Sequence, residues 1–282
     1  MNPLDDIVPP LKIGLDCVTG LDPLRTMIQR GVFSMFKRFA TVAAVLAFSL
    51  SAPVTQAQDA SNDWQQTVFI YGMGAAIDGD VQLGPLELPI DLSISDVFDA
   101  LKFGAMAAYR IENDVWSFEG DVTYMNLGVN QSGPREKVRG DLSTDQLTVM
   151  ATAGRRLGPY VEGLVSLAYF DLSTDLEVRV LNQRQRASRD ADWIDPLVGL
   201  SYALPFAGKW TYSLRGDIGG FGVGSDLTWQ ILTAVRRQNT DRFGWYVGYR
   251  ALAYDYEDGK GANYQRYDLT QQGPLAGISF SF

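Results

Sequence analysis

The chain has 282 residues, 46% of them hydrophobic, 12% aromatic and 20% charged, with a formal net charge of −9, one Cys and no His. That balance excludes a disordered or collagen-like chain, and the acidic excess argues against nucleic acid as a partner, because phosphate binding needs clustered cations. Without His there is no imidazole general base, no Ser-His-Asp or Cys-His pair and no imidazole metal ligand. A single Cys leaves no intramolecular disulfide and no ordinary zinc site, so no metal and no cofactor is expected.

The first element is a targeting segment inside the chain. Met35-Phe36-Lys37-Arg38 supplies positive charge, Phe39 to Leu50 is an uninterrupted run of apolar and small residues, and Pro53 to Ala57 offers small residues at a cleavage site. This is the layout of a secretory signal peptide, and twelve apolar residues are too few to cross a bilayer. The reading is therefore a gene-start artefact or disordered extension at 1–34, a Sec signal peptide at 35–57, and a folded part at 58–282. Cys17 falls in the first of these.

From Trp64 onward the recurring pattern is period-two alternation, which sends successive side chains to opposite faces of a strand. In Val115 to Asn126, Trp116, Phe118, Val122 and Tyr124 oppose Ser117, Glu119, Asp121 and Thr123. In Trp210 to Phe221, Trp210, Tyr212, Leu214 and Ile218 oppose Thr211, Ser213, Arg215 and Asp217. Farther on, Leu227, Trp229, Ile231 and Val235 oppose Asp226, Thr228, Gln230 and Arg236. Turn residues between such runs give ten strands, near 64–77, 102–111, 115–126, 145–156, 160–171, 192–204, 210–221, 226–237, 245–256 and 266–282.

Short connections alternate with longer polar links at 78–101, 127–144, 172–191 and 257–265, the exception being Gly222 to Ser225. Short turns at one end and long loops at the other are the layout of a membrane β-barrel, and strands of about 9–11 tilted residues span the hydrocarbon. The expected fold is all-β: a closed antiparallel transmembrane β-barrel of ten strands, with eight or twelve as alternatives. In the first link, Leu86, Leu88, Ile90, Leu92 and Ile94 alternate with polar residues and Pro89, and Ser95-Asp96 reads as a helix N-cap before 97–101. This piece is either an external hairpin closed by a helical turn or an element that narrows the barrel mouth. If 86–94 were itself a membrane strand, the count would rise to twelve.

The ending Gly273 to Phe282 resembles the C-terminal strand of bacterial outer-membrane β-barrel proteins, with Ile278, Phe280 and Phe282 as the assembly signal. Asp192 to Pro196, Gly216 to Gln230, Gly248-Tyr249-Arg250 and Tyr254-Asp255-Tyr256 are similar to an uncharacterised group of Gram-negative outer-membrane proteins. The resemblance implies outer-membrane localisation. It also implies outer-membrane lipid and lipopolysaccharide, periplasmic chaperones and the barrel-assembly machinery as partners, and a monomer, but it brings no ligand.

With apolar faces placed outward, Arg110, Glu119, Asp121, Glu162, Asp195, Arg215, Asp217 and Arg250 face the lumen, where a charge avoids the cost of about 2–4 kcal/mol that lipid imposes on Arg or Lys. They form either an ion-pair network filling a narrow barrel or a constriction for a small solute. The expected function is a non-catalytic outer-membrane barrel, structural or permeable to a small solute. The alternatives are a secreted soluble barrel binding a ligand inside, and a hydrolase using carboxylates such as Glu119 with Asp121. The outer-membrane enzyme families of this class use a His, which is absent. Weaker motifs are the glycine-rich 219–224, read as a turn, the basic run Gln183 to Arg189, and Asp255, Glu257 and Asp258 as a loose Ca²⁺ site.

Overall fold

The computed structural model describes residues 64–84, 86–132, 138–180 and 183–282. The readings made for the signal peptide and the segment before it lie outside these residues. In chain order the elements are β1 (Gln65–Met73), β2 (Ala76–Leu83), β3 (Leu86–Leu92), α1 (Ile94–Ala100), β4 (Leu101–Glu112), β5 (Trp116–Ser132), β6 (Val138–Arg156), β7 (Val161–Val180), β8 (Gln183–Phe206), β9 (Trp210–Gly220), β10 (Leu227–Gln238), β11 (Phe243–Asp258) and β12 (Gln265–Ser281).

All strands belong to one sheet in which β4 to β12 pair antiparallel in sequence order, and β1 pairs with both β4 and β12. Ten strands thus close a ring. The other two, β2 and β3, stand on top of it. β2 pairs with β12 in the register that β1 began, Met73 opposite Leu275 and Ala76 opposite Gln272, so β1 and β2 are one strand interrupted at Gly74 and Ala75. At that interruption the Gly74 N–H bonds to the Pro274 carbonyl at 2.9 Å, and Gly273 has no room for a Cβ against the Gly74 carbonyl. Of the segment 86–94, Ile94 already belongs to α1, and Leu86–Leu92 is strand, as one reading had it, but it lies outside the ring. Its Pro89 sits on an edge strand, where a missing N–H costs no ladder bond.

The wall is uneven in height. The hairpin of β7 and β8 keeps its register from Val161 opposite Tyr202 to Val180 opposite Gln183, and β5 with β6 runs to Ser132 opposite Arg139, whereas β9 and β10 end at Gly220 and Leu227. Most of the links expected as loops at 127–144 and 172–191 are continuing strand. Their outward positions turn polar above the ring, as at Asp171, Ser173 and Asp175 on β7, and that ended the apolar alternation on which the sequence reading relied. Short turns lie at the other end, together with both ends of the described chain, where Phe282 and Gln66 exchange backbone hydrogen bonds.

Between the two raised walls, β5 to β8 and β11–β12–β2–β3, the helix α1 packs on β2, β3 and β5. Its cap is Ser93, two residues earlier than expected. The Ser93 hydroxyl accepts from the Asp96 N–H at 3.3 Å, and the Asp96 carboxylate accepts from the Ser93 N–H at 2.9 Å, a reciprocal capping box. Hydrogen bonds from Ser93 hold the Asp96 carboxyl below the usual carboxylate range. Val97 and Ala100 are the buried face of the helix, and Val97 joins the same core as Ile77 and Leu127.

Candidate functional site

Outward side chains around the ring are large and apolar: Ile70, Phe118, Val165, Leu167, Val198, Leu200 (59% exposed), Ile218, Ile231, Val247 and Ile278. A girdle of aromatic residues marks the short-turn end, where Trp210 meets Trp245 edge-on at 5.5 Å, Phe243 meets Phe280 at 5.3 Å, and Trp64 lies by Phe118 at 6.1 Å. Arg155 and Arg237 lie over the Trp116 and Trp210 rings, each at 5.4 Å, as cations at a membrane interface do. An apolar belt on a closed ring, bounded by aromatics and enclosing a polar lumen, is the architecture of an integral outer-membrane β-barrel. Ile278 and Phe280 lie on this outward face of β12, and Phe282, the residue after it, is exposed.

The lumen divides along its axis. Toward the short turns it holds an open cavity of about 450 Å³. Arg110 projects inward from β4 and reaches three carboxylates: Glu112 at 3.0 Å, Glu119 at 3.5 Å and Glu162 at 2.8 Å. Arg215 from β9 bonds Glu119 at 2.9 Å, the buried Asp217 at 2.7 Å, and the hydroxyls of Thr152 and Ser166. Arg250 from β11 donates to Gln230 and to Tyr71 and pairs with Asp121 at 3.4 Å, while Tyr71 donates to Asp121 at 2.6 Å and Gln230 donates to Asp217 at 2.8 Å. Ser117 and Ser201 donate to Glu162. Small residues make the space: a Cβ on Gly154 would strike Glu162, and one on Gly199 would strike Asp217.

Toward the tall end the lumen is apolar and filled. Trp193 stacks on Tyr256 at 4.1 Å and on Phe170 at 4.9 Å, and Tyr254 packs against both Phe170 and Trp193. Leu172, Tyr267 and Leu269 complete the same buried cluster. Beside it Gln146 of β6 and Gln271 of β12 exchange amide hydrogen bonds across the lumen, and Gln271 also donates to Tyr254. The cavity wall ends at Met150, Leu164, Gln230 and Leu275, below these rings.

Seven of the eight charged residues singled out from the sequence are thus brought together in one network: Arg110, Glu119, Asp121, Glu162, Arg215, Asp217 and Arg250. Asp195 also points inward, fully buried, but it meets no cation among the described residues. It accepts from Trp193 Nε1 at 3.0 Å, from the Ser225 N–H at 2.8 Å and from the hydroxyls of Ser225 and Thr228. That carboxylate holds the β9–β10 turn, whose positive φ at Gly220, Phe221 and Gly222 fits the turn expected at 219–224.

Sequence reasoning missed Tyr71, Glu112 and the aromatic fill as lumen residues. Parity was the available signal, because Tyr254 and Tyr256 share a face with Arg250, and Trp193 shares one with Asp195. Of the loose acidic group, Asp255 is held by Arg266 at 2.9 Å and Glu257 accepts from Tyr264 at 2.8 Å, which raises the Tyr264 hydroxyl pKa. Side chains at 183–187 of the basic run lie outside the described residues.

No protein-family profile and no curated protein matches the chain. Among solved structures it is similar to the outer membrane protease OmpT from Escherichia coli, at 10% identity over 81% of this chain and 100% of that one, with a TM-score of 0.45. It is also similar to the attachment invasion locus protein Ail of Yersinia pestis, at 14% identity over 78% of this chain and 98% of that one (TM-score 0.35). A third likeness is to the translocator domain of autotransporter NalP from Neisseria meningitidis, at 9% identity over 90% and 98% (TM-score 0.39).

Proposed function

We propose that this outer-membrane barrel is a non-catalytic, non-conducting monomer whose lumen is a blind pocket open to the periplasm. The carrying observation is the stack of Phe170, Trp193, Tyr254 and Tyr256, buried and in contact ring to ring across the tall end. Short turns belong on the periplasmic side of such barrels, so the cavity faces the periplasm and the aromatic fill faces outward. Against a hydrolase stands the state of the carboxylates. Glu119 is shared between Arg110 and Arg215, and Asp121 between Arg250 and Tyr71, so neither is a free acid or base beside the cavity. A ring closed by β1 and β12 has no unpaired strand inside the belt to recruit a second copy.

Planar-bilayer recording tests the reading. The purified barrel is expected to be silent, and the double variant Trp193→Ala with Tyr256→Ala to show steps. Steady conductance from the unaltered protein would reject the blind pocket.

A further inference from the structure

Four of the five arginines that line the cavity are tied to carboxylates: Arg110, Arg215 and Arg250 as described, and Arg156 to Glu112 at 3.4 Å. The fifth, Arg236 of β10, is different. It lies between Thr211 of β9 and Tyr246 of β11 in the ladders and points into the cavity, and its guanidinium has no ion pair and no hydrogen bond among the described residues. Water can solvate a guanidinium at an open mouth, yet five fixed donors without an acceptor are a standing site for an anion.

The wall beside Arg236 is apolar. Leu232 and Ala234 precede it on the same face of β10, and the rings of Phe69 and Tyr246 meet edge-on at 5.8 Å, with Leu275 beyond them. A cavity of about 450 Å³ is within the range that encloses a small organic molecule. The other charged side chains that line the cavity are paired with one another, so a second ionic group on a ligand would have to break an existing bridge, which disfavours zwitterions and dianions.

Resting on the blind-pocket reading, we infer that the cavity is a binding site for a small monoanionic amphiphile. Its carboxylate is held by Arg236 at the mouth, and its aromatic or short aliphatic body lies on Phe69, Tyr246 and Leu232. Sources on either side of the chemistry, a free organic acid or a cleaved lipid chain, share this head and body.

The probes are 3-phenylpropanoate and octanoate, with 3-phenylpropanol and 3-phenylpropylammonium as controls, titrated by calorimetry onto the full barrel in lipid nanodiscs. Saturable binding of one carboxylate per barrel is expected, with the alcohol at least about ten-fold weaker and the ammonium silent. Preference for the aryl or for the alkyl carboxylate separates the two sources. Arg236→Gln is expected to weaken the carboxylate by about ten-fold or more and to leave the alcohol unchanged, while Arg236→Lys retains most of the affinity. Retained heat-modified gel mobility in both variants shows that the barrel still folds. Equal binding of acid and alcohol, no binding of either acid, or an unaltered Arg236→Gln titration would overturn the site. Those results leave a silent bilayer recording intact, whereas conductance by the unaltered barrel would overturn the pocket itself.

Discussion

Replacing Arg215 by Met removes a largely buried cation shared by two lumen carboxylates. Its side chain is 12% exposed, that of Asp217 is 0% and that of Glu119 is 19%. Glu119 would keep Arg110 at 3.5 Å, but among the described residues Asp217 would be left with only the Gln230 amide at 2.8 Å. Removing one partner of a buried pair costs about 3–5 kcal/mol, because the remaining charge stays desolvated. Arg215 lines the open cavity, where its loss can be partly compensated, and this places the expected cost at the lower end, about 3 kcal/mol. Arg215→Met with Asp217→Asn removes both charges and is expected to recover on the order of 2 kcal/mol relative to the sum of the single variants. Equilibrium unfolding in guanidinium from phospholipid vesicles, followed by Trp fluorescence, measures all four species. A single variant within about 1 kcal/mol of the parent, or strict additivity in the cycle, would refute the claim that Arg215 compensates a buried carboxylate.

Two further outcomes are expected. Because Ser93 lowers the Asp96 pKa, the capping box stabilises α1 fully above the ordinary carboxylate pKa of about 3.9, and that contribution is lost as pH falls through the lowered folded value. In Ser93→Ala the Asp96 carboxyl should therefore titrate higher by carbon NMR, and an unmoved titration would reject the cap. Deleting Phe282 removes both backbone bonds to Gln66 that start the β1–β12 closure, so outer-membrane levels of assembled barrel should fall on fractionated gels; unchanged levels would count against its role in assembly.

Alternation placed the lumen charges on one face of each strand, because lipid and water impose opposite demands on successive residues. The same alternation ended where the outward face left the lipid. At Asp190 and Asp192 on β8, water on the outside removes the apolar half of the pattern, although the ladder continues to Gln183. The union of β1 with β2 could not be read either. It rests on β12 presenting Leu275 and Gln272 in one register to residues about two hundred positions earlier, a long-range pairing with no local trace. Aromatic type was also ambiguous, since Trp210 at the girdle and Trp193 in the lumen differ in face and not in chemistry. Arg236 was legible as lumen-facing by parity, but its lack of a partner depends on where every other strand places its carboxylates.

The low wall at β9 and β10 and the aromatic fill depend on each other through Asp195. Where those strands stop, the upper edge of β8 would be left open, and the turn after β9 covers it, with Gly224 against the Ile194 carbonyl. Four donors converge on the Asp195 carboxylate, three from Ser225 and Thr228 and one from the Trp193 indole. Charge-assisted bonds of this kind are roughly twice as strong as neutral ones, which is how an anion without a cation is tolerated at full burial. The same carboxylate therefore closes the wall and fixes the ring that stacks on Tyr256 and Phe170. Separating the fill from the wall would break bonds to a buried anion, so the tall end of the lumen is expected to open as one unit rather than ring by ring.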